Sequence, residues 1–548
     1  LDALRRGELE LADPAAGAPR VSGPARLSTR SELVSLPDGA VALKQSVTLH
    51  AAPGSGPVRV DVPRALRLPG SSTHFIPLKN GVARRGAGRP MAAYEFAGSH
   101  ALDAPTRLAL PMVSESNGTL RLTVCTDPTF TAGFGETLHW IYADGLPPED
   151  GETRVIQTVI HSGEERSAVD AFYATALADV RPGPDWLHDV AMVGYDFLSR
   201  NGQGWFADID ALAQLIEPRD RPRVTLALHG WYDLCGRYAF DIRSGQLDRA
   251  WTAFPNAKGP DVLARAERKD FASPFHWAAE RIHALRPVEM TLADMHRRIA
   301  YARSRGFRVA LYFADGLNSC EGVPNFDPTQ VLRWGGWSGP ETRGRSFAMN
   351  PLHPDVPRFF EAYLAALLTE YGREIDALIW DETFYVQGSD LGTEHHRGYA
   401  GRAMMNLVKR LASSTSNVAF LSSDDVGAVP TYQAPYSLMA HGTYQDSSCS
   451  PKAWPYGLWP NFRNTLWSCN WAPMKAFDRT EYAADTFDVP VAVSNGYAED
   501  VGIAEMRPDD VKRLMALFNR RKNRRMDITW IEQRDGVLTY RGRPVRAI

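Results

Sequence analysis

The stretch Ile375-Asp376-Ala377-Leu378-Ile379-Trp380-Asp381-Glu382-Thr383-Phe384-Tyr385 is a short apolar run that ends in two consecutive acids and then aromatic residues. It follows a stripe at helical spacing, Phe360, Leu364, Leu367, Leu368 and Tyr371, which Gly372 terminates. An apolar run this short between helical segments predicts a buried parallel strand, with Asp381 and Glu382 at its carboxyl end. α/β barrels place their chemistry at that end. Carboxylates beside Trp380 and Tyr385 suit a sugar, because rings stack on the apolar faces of pyranoses while an acid pair breaks the glycosidic bond. The plainer alternative is a strand-end acid that caps the next helix or binds an arginine.

The same rhythm of strand and helix runs outward from this segment, beginning near Trp186. Candidate strands are Val190–Phe197, Val224–Gly230, Arg308–Phe313, Ala377–Asp381, Val418–Ser422, Ser437–His441, Asn464–Ser468 and Val489–Val493. Eight such strands, with long loops, predict a (β/α)8 barrel of the TIM type. A second helical stripe is formed by Leu292, Met295, Ile299 and Ala302, and a last one by Val511, Leu514, Met515 and Phe518. Pro451–Pro473, rich in Trp, Pro and Asn, reads equally as one long loop with no strand in it.

Before Trp186 the pattern is different. Alternating runs at Ala40–Leu49, Val58–Val62, Arg107–Val113 and Thr119–Val124, separated by Gly, Pro, Ser and Asn clusters, predict an antiparallel β-sandwich. A helix from about Ser167 to Val180 leads into the breaker Arg181-Pro182-Gly183-Pro184. The expected organisation is therefore an N-terminal β-sandwich over 1–166, a linker helix over 167–184, a catalytic barrel over 185–525 and a short β segment over 526–548.

A chain of 548 residues is too long for one core, and 44% apolar content with a net charge of -3 describes a soluble globular protein of two or three domains. The one basic run, Arg520 to Arg525, ends a predicted helix, where cations favour the dipole; no nucleic-acid partner is expected. No apolar stretch reaches the roughly 18 residues of a membrane span. Cys125, Cys235, Cys320, Cys449 and Cys469 are scattered and lack a C-x-x-C pair, which supports neither a disulfide scaffold nor structural zinc; a single Cys449–Cys469 bridge stays open. Glu394-His395-His396 lacks HExxH spacing and a third ligand, so no metal is expected. No G-x-S-x-G occurs, which sets aside a serine nucleophile, and Gly202-Gln203-Gly204 lacks the third glycine of a phosphate loop; no cofactor is expected. The chain starts at Leu1, which fits a processed or trimmed protein, and a secreted or periplasmic setting is favoured over a cytoplasmic one.

If the barrel holds, its carboxyl-end rim carries Asp196, Asp233, Asp315, Asp381, Glu382, Asp424, Asp425, Asp446, Glu499 and Asp500. Each alone reads as well as a loop cap or salt-bridge partner, but their repeated placement after apolar strands favours chemistry. Trp231, Tyr232, Trp380, Tyr385, Tyr444, Trp467, Trp471 and Tyr497 fall near strand ends, where rings either stack on a ligand or pack beneath loops. Asp233 and Asp315 are candidate acceptors for sugar hydroxyls, and Arg463 or His229 candidate donors.

VTLALHGWYDLCGRYAFD at 224–241, Trp251-Thr252-Ala253-Phe254-Pro255-Asn256, and MHRRIAYARSRGFRVALYF at 295–313 resemble the series in barrels of the α-galactosidase and α-glucosidase type. The sandwich ahead of a barrel is also similar to those families and to the endo-α-N-acetylgalactosaminidases. The resemblance implies a retaining glycoside hydrolase acting on α-linked or furanosidic bonds, with an oligosaccharide or polysaccharide as partner. It implies a nucleophile at Asp381, ending the fourth strand. The acid/base follows the sixth strand in the first two families, which points to Asp446. In the endo-acting relatives it is a glutamate near the fifth strand, where this chain has Asp424 and Asp425 instead. Asp446 ranks first, then Asp425. Glu382, Asp424, Tyr444 and Trp467 complete the expected substrate contacts, with Trp231, Asp233, Asp315, Trp380 and Arg463.

Two other readings keep the same scaffold: a transglycosylase and a non-catalytic carbohydrate-binding protein. Homo-oligomerisation stays open.

Overall fold

A computed structural model describes residues 2–253 apart from 12–17, 38, 51–57, 71–72, 79–80, 86–91, 95–107, 109, 128–131, 136, 143–150, 177–183, 185, 187–188, 191, 197–201, 229 and 233–237. It further describes 288–320, 327–330, 346–381, 399–423, 436–439, 465–470, 491–494, 512, 516, 531–534, 537–540 and 543–544.

Among the described residues the N-terminal part has one two-stranded ribbon, Glu10–Leu11 with Leu66–Arg67, and two large sheets. One has ten strands in the spatial order Arg26–Ser35, Val41–His50, Glu152–His161, Arg121–Thr126, Met112–Ser116, Thr73–Leu78, Gly81–Arg85, Ile531–Arg534, Val537–Tyr540 and Arg543–Pro544. The other has five: Arg20–Ser22, Val58–Pro63, Thr137–Tyr142, Ala132–Phe134 and Ala92–Tyr94. Alternation explains their packing. Val58, Val60 and Val62 are buried while Arg59 between them is exposed, and they share one core with Val47, Leu49, Phe75 and Val113.

The helix expected as a linker spans Glu165–Thr175 and covers the outer face of the larger sheet. It buries Ala168, Val169 and Phe172 in one cluster with Met112, Val113, Val124 and Cys125, and Ala171 in another with Ala42 and Val159, and it covers two strands, Met112–Ser116 and Arg121–Thr126, in which every residue is buried. The C-terminal strands belong to this same sheet, through the parallel pairing of Glu532 with Val82.

The second part is a cyclic parallel sheet of β1 (Met192–Asp196), β2 (Val224–Leu228), β3 (Arg308–Asp315), β4 (Ala377–Asp381), β5 (Ala419–Ser423), β6 (Tyr436–Met439), β7 (Thr465–Asn470) and β8 (Val491–Ser494). Val493 and Ser494 of β8 pair back onto Met192 and Val193 of β1, which closes the barrel. Each strand lies within a few residues of its expected place, and β7 falls inside the stretch that read equally as a loop. The first four crossovers carry helices α1 (Gly204–Leu215), α2 (Leu292–Ser304), α3 (Asp355–Tyr371) and α4 (Tyr399–Ser414). Later crossovers lie outside the described residues.

Local chemistry sets these elements. A capping box opens α2: the Thr291 hydroxyl accepts from the Asp294 amide while the Asp294 carboxylate accepts from the Thr291 amide. Of the expected stripe on α3, Phe360, Leu364, Leu367 and Tyr371 are buried and Leu368 is partly buried, and Tyr363, which the stripe did not include, is buried with them. At the amino-terminal end of β4, the Asp376 carboxylate accepts from the Val309 amide at 2.9 Å, from Arg303 at 3.0 Å and from Arg308 at 3.1 Å. One acid thus ties β3, α2 and β4 together at the floor of the barrel.

Candidate active site

The carboxyl ends of the barrel strands carry Asp196 on β1, Asp315 on β3 and Asp381 on β4. Asp315 and Asp381 are direct register partners. They are level because β3 contains an irregularity: Tyr312 pairs with Ile379, but Ala314 pairs with Trp380, which leaves Phe313 as an extra residue. Such a bulge re-aims the residues after it, and bulges gather at barrel rims and next to active sites. Without it, Ala314 and not Asp315 would stand beside Asp381.

Two indoles fasten the bulged end of β3. Trp231, just after β2, donates its N–H to the Tyr312 carbonyl at 2.9 Å, and Trp380 donates to the Gly316 carbonyl at 2.7 Å. The two accepting carbonyls bracket Asp315. Both tryptophans were expected among the substrate contacts, with packing beneath loops as the alternative, and the structure favours packing: each is 0% exposed. Trp380 stacks on Phe360 of α3 with ring centroids 5.2 Å apart and meets Phe313 and Phe420 edge-on. A strand residue whose ring packs on the helix layer has no face left for a ligand. Tyr232 is also fully buried, beside Trp231.

The loops above the rim start as small hairpins. Ala250–Ala253 pairs with Val288–Thr291 after β2, and Asn318–Cys320 pairs with Ser346–Ala348 after β3. The Trp251 indole donates to the Trp231 carbonyl, linking the first hairpin to the end of β2. Between them, Tyr238 and Ala239 hold φ of 58° and 45°, a left-handed backbone that non-glycine residues rarely adopt. Packing holds it in place: the Tyr238 ring is buried among Tyr232, Phe359, Phe360 and Tyr363.

The structure therefore brings Asp315 and Asp381 together at the rim, and places Trp467 in β7. His229, Asp233, Glu382, Tyr385, Asp424, Asp425, Tyr444, Asp446, Arg463, Trp471, Tyr497, Glu499, Asp500 and the Glu394-His395-His396 segment lie outside the described residues. Among the described residues no group of three or more His, Cys, Asp or Glu is placed to hold a metal ion, and no helix is long and apolar enough to cross a membrane. Sequence reasoning missed the bulge and the indole clamps. The run from Val309 to Ala314 is apolar throughout, so it has no alternation for an extra residue to interrupt.

The chain matches no family model, and no curated protein matches it in sequence. Among solved structures it is similar to a GH36 α-galactosidase from Geobacillus stearothermophilus, at 12% identity and TM-score 0.49 over 94% of this chain and 74% of that one. It is also similar to an α-galactosidase from Thermus thermophilus, at 14% identity and TM-score 0.45 over 91% of this chain and 99% of that one. An α-N-acetylgalactosaminidase from Bifidobacterium bifidum gives 12% identity and TM-score 0.47 over 90% and 85%.

Proposed function

We propose that the chain is a retaining glycoside hydrolase on a (β/α)8 barrel, cleaving α-linked or furanosidic bonds with Asp381 as nucleophile. The observation that supports this is the level placement of Asp315 and Asp381 at neighbouring strand ends. Adjacent strands lie about 4.8 Å apart, so a sugar held over the end of β4 lies within reach of the end of β3 as well.

In this mechanism the Asp381 carboxylate attacks the anomeric carbon as the leaving oxygen departs with a proton from the acid. Asp446 is the first choice for that acid, and Asp425 then Asp424 follow. The glycosyl ester on Asp381 is next displaced by water, whose proton returns to the same acid/base residue. Asp315 accepts a hydrogen bond from a sugar hydroxyl beside the nucleophile. Asp233, Glu382 and Arg463 supply further polar contacts, and Tyr444 and Trp467 supply the stacking surface. Trp231 and Trp380 serve instead as positioning residues beneath β3.

A panel of aryl glycosides tests the reading, and includes the α-galactosides and N-acetyl-α-galactosaminides for which the similar proteins are named. Hydrolysis with retained anomeric configuration, read by proton magnetic resonance of early product, is the expected result. Inversion would require acids about 6.5–9.5 Å apart and would overturn the paired mechanism. Transfer to added sugars in place of water would make the chain a transglycosylase.

A further inference from the structure

Strand Arg26–Ser35 forms one end of the ten-stranded sheet. Its inner edge pairs without interruption with Val41–His50, from Arg26 opposite His50 to Ser35 opposite Val41. Among the described residues no strand pairs with its outer edge. Proteins usually blunt such an edge with a short strand, charged side chains, a proline or a bulge, and of these devices this edge has only the charges of Arg26, Arg30 and Glu32. This one is ten residues long, has no proline and keeps a regular register. Leu33 is 65% exposed and Val34 37%, neighbours in the strand and both counted with the few exposed large apolar side chains among the described residues.

The sequence along this edge is complementary to itself. Consider two copies of the strand running antiparallel about a two-fold axis at Ser31. Arg30 of each copy then faces Glu32 of the other, Thr29 faces Leu33, Ser28 faces Val34 and Leu27 faces Ser35. An axis at Arg30 or at Glu32 would set like charges face to face, which is destabilising. Within one chain, Arg30 and Lys44 both lie 3.2 Å from Glu32, and the Arg30 side chain is 79% exposed. An ion pair that exposed is weak and re-partners readily. Across the two-fold, Lys44, Glu32 and Arg30 of the second copy form a row that alternates in sign.

We propose that this edge is a homodimer interface, in which a second copy of the chain extends the ten-stranded sheet through antiparallel pairing centred on Ser31. The main chain supplies the hydrogen bonds, the facing Arg30 and Glu32 fix the register, and the exposed Leu33 and Val34 are covered.

The experiment is light scattering and sedimentation of the full chain over a concentration series. Wild type should be a dimer. Arg30→Glu and Glu32→Arg each place like charges across the axis and should shift the protein to monomer, whereas the double variant R30E/E32R should restore the dimer. Activity per chain should stay unchanged in all three, because the edge lies in the sandwich. A second variant, Ser31→Cys, brings facing Cα atoms within about 4.5–5.5 Å, inside disulfide range. It should give a covalent dimer on oxidation that the parent chain does not form. A monomeric wild type overturns the proposal, and so does a dimer that survives both single charge reversals or fails to cross-link through Ser31→Cys.

Discussion

Asp315 and Asp381 stand level at the ends of neighbouring barrel strands because one extra residue, Phe313, is inserted in β3. The Phe313 ring is held by Tyr363, stacked with centroids 5.0 Å apart, and by Trp380 edge-on at 5.2 Å. The indole N–H groups of Trp231 and Trp380 occupy the carbonyls on either side of Asp315. Geometry at the rim is thus set from below, by aromatic packing between the barrel and α3.

Trp380→Phe should keep most of the packing and lose the donor to the buried Gly316 carbonyl. Leaving a buried acceptor unsatisfied costs about 1–3 kcal/mol. Thermal melts should show that loss, and kcat should fall while KM changes little. Trp231→Phe should do the same through Tyr312. A lowered melting point with unchanged kcat would show that the clamp stabilises β3 without positioning Asp315.

Asp376 makes a contrast at the opposite end of the barrel. Its carboxylate serves two arginines and an amide and is only 15% exposed, so Asp376→Ala should cost roughly 2–4 kcal/mol in denaturant unfolding. Activity per folded molecule should be retained, because the amino-terminal face of such a barrel carries stability rather than chemistry.

His296 of α2 bridges to α3 and the turn after it, with Nδ1 2.9 Å from Glu374 and Nε2 2.8 Å from Glu370. Burial of the ring opposes the charged form, but the hydrogen bonds and charges of Glu374 and Glu370 prevail and raise its pKa above the usual histidine value. A raised folded-state pKa adds stability that is fully present below the unfolded value, about 6.5, and is lost as pH rises through the folded one. The stability gap between wild type and His296→Gln should therefore be widest near pH 6 and shrink as the solution becomes alkaline. A gap that widens above neutrality would contradict the assignment.

Much of this architecture was legible in the sequence for a simple reason. Strands buried on both faces are short apolar runs, and β2 (Val224–Leu228) and β4 (Ala377–Asp381) announce themselves by composition alone. The stripe on α3 likewise follows from helical periodicity. Roles were harder to read than places. Trp231 and Trp380 sit at strand ends as expected, but which way a ring turns depends on partners distant in sequence, such as Phe360 and Tyr312. The helix at Glu165–Thr175 read as a linker because nothing in its own sequence names the sheet that its apolar face covers.

The acid/base proposal separates Asp446 from Asp425 and Asp424 by chemical rescue. A retaining enzyme without its acid/base still forms the glycosyl intermediate when the leaving group is good. Asp446→Ala should hold more activity on a dinitrophenyl glycoside than on a natural one, and azide should restore turnover. Rescue of Asp425→Ala with no effect on Asp446→Ala would move the acid to the fifth strand.

The central claim is that Asp381 is the nucleophile, and Asp381→Asn tests it most directly. The substitution keeps the shape of the side chain and removes the attacking carboxylate, so turnover of an aryl glycoside should fall by several powers of ten while circular dichroism and melting stay those of a folded protein. Wild-type turnover in Asp381→Asn would contradict the account.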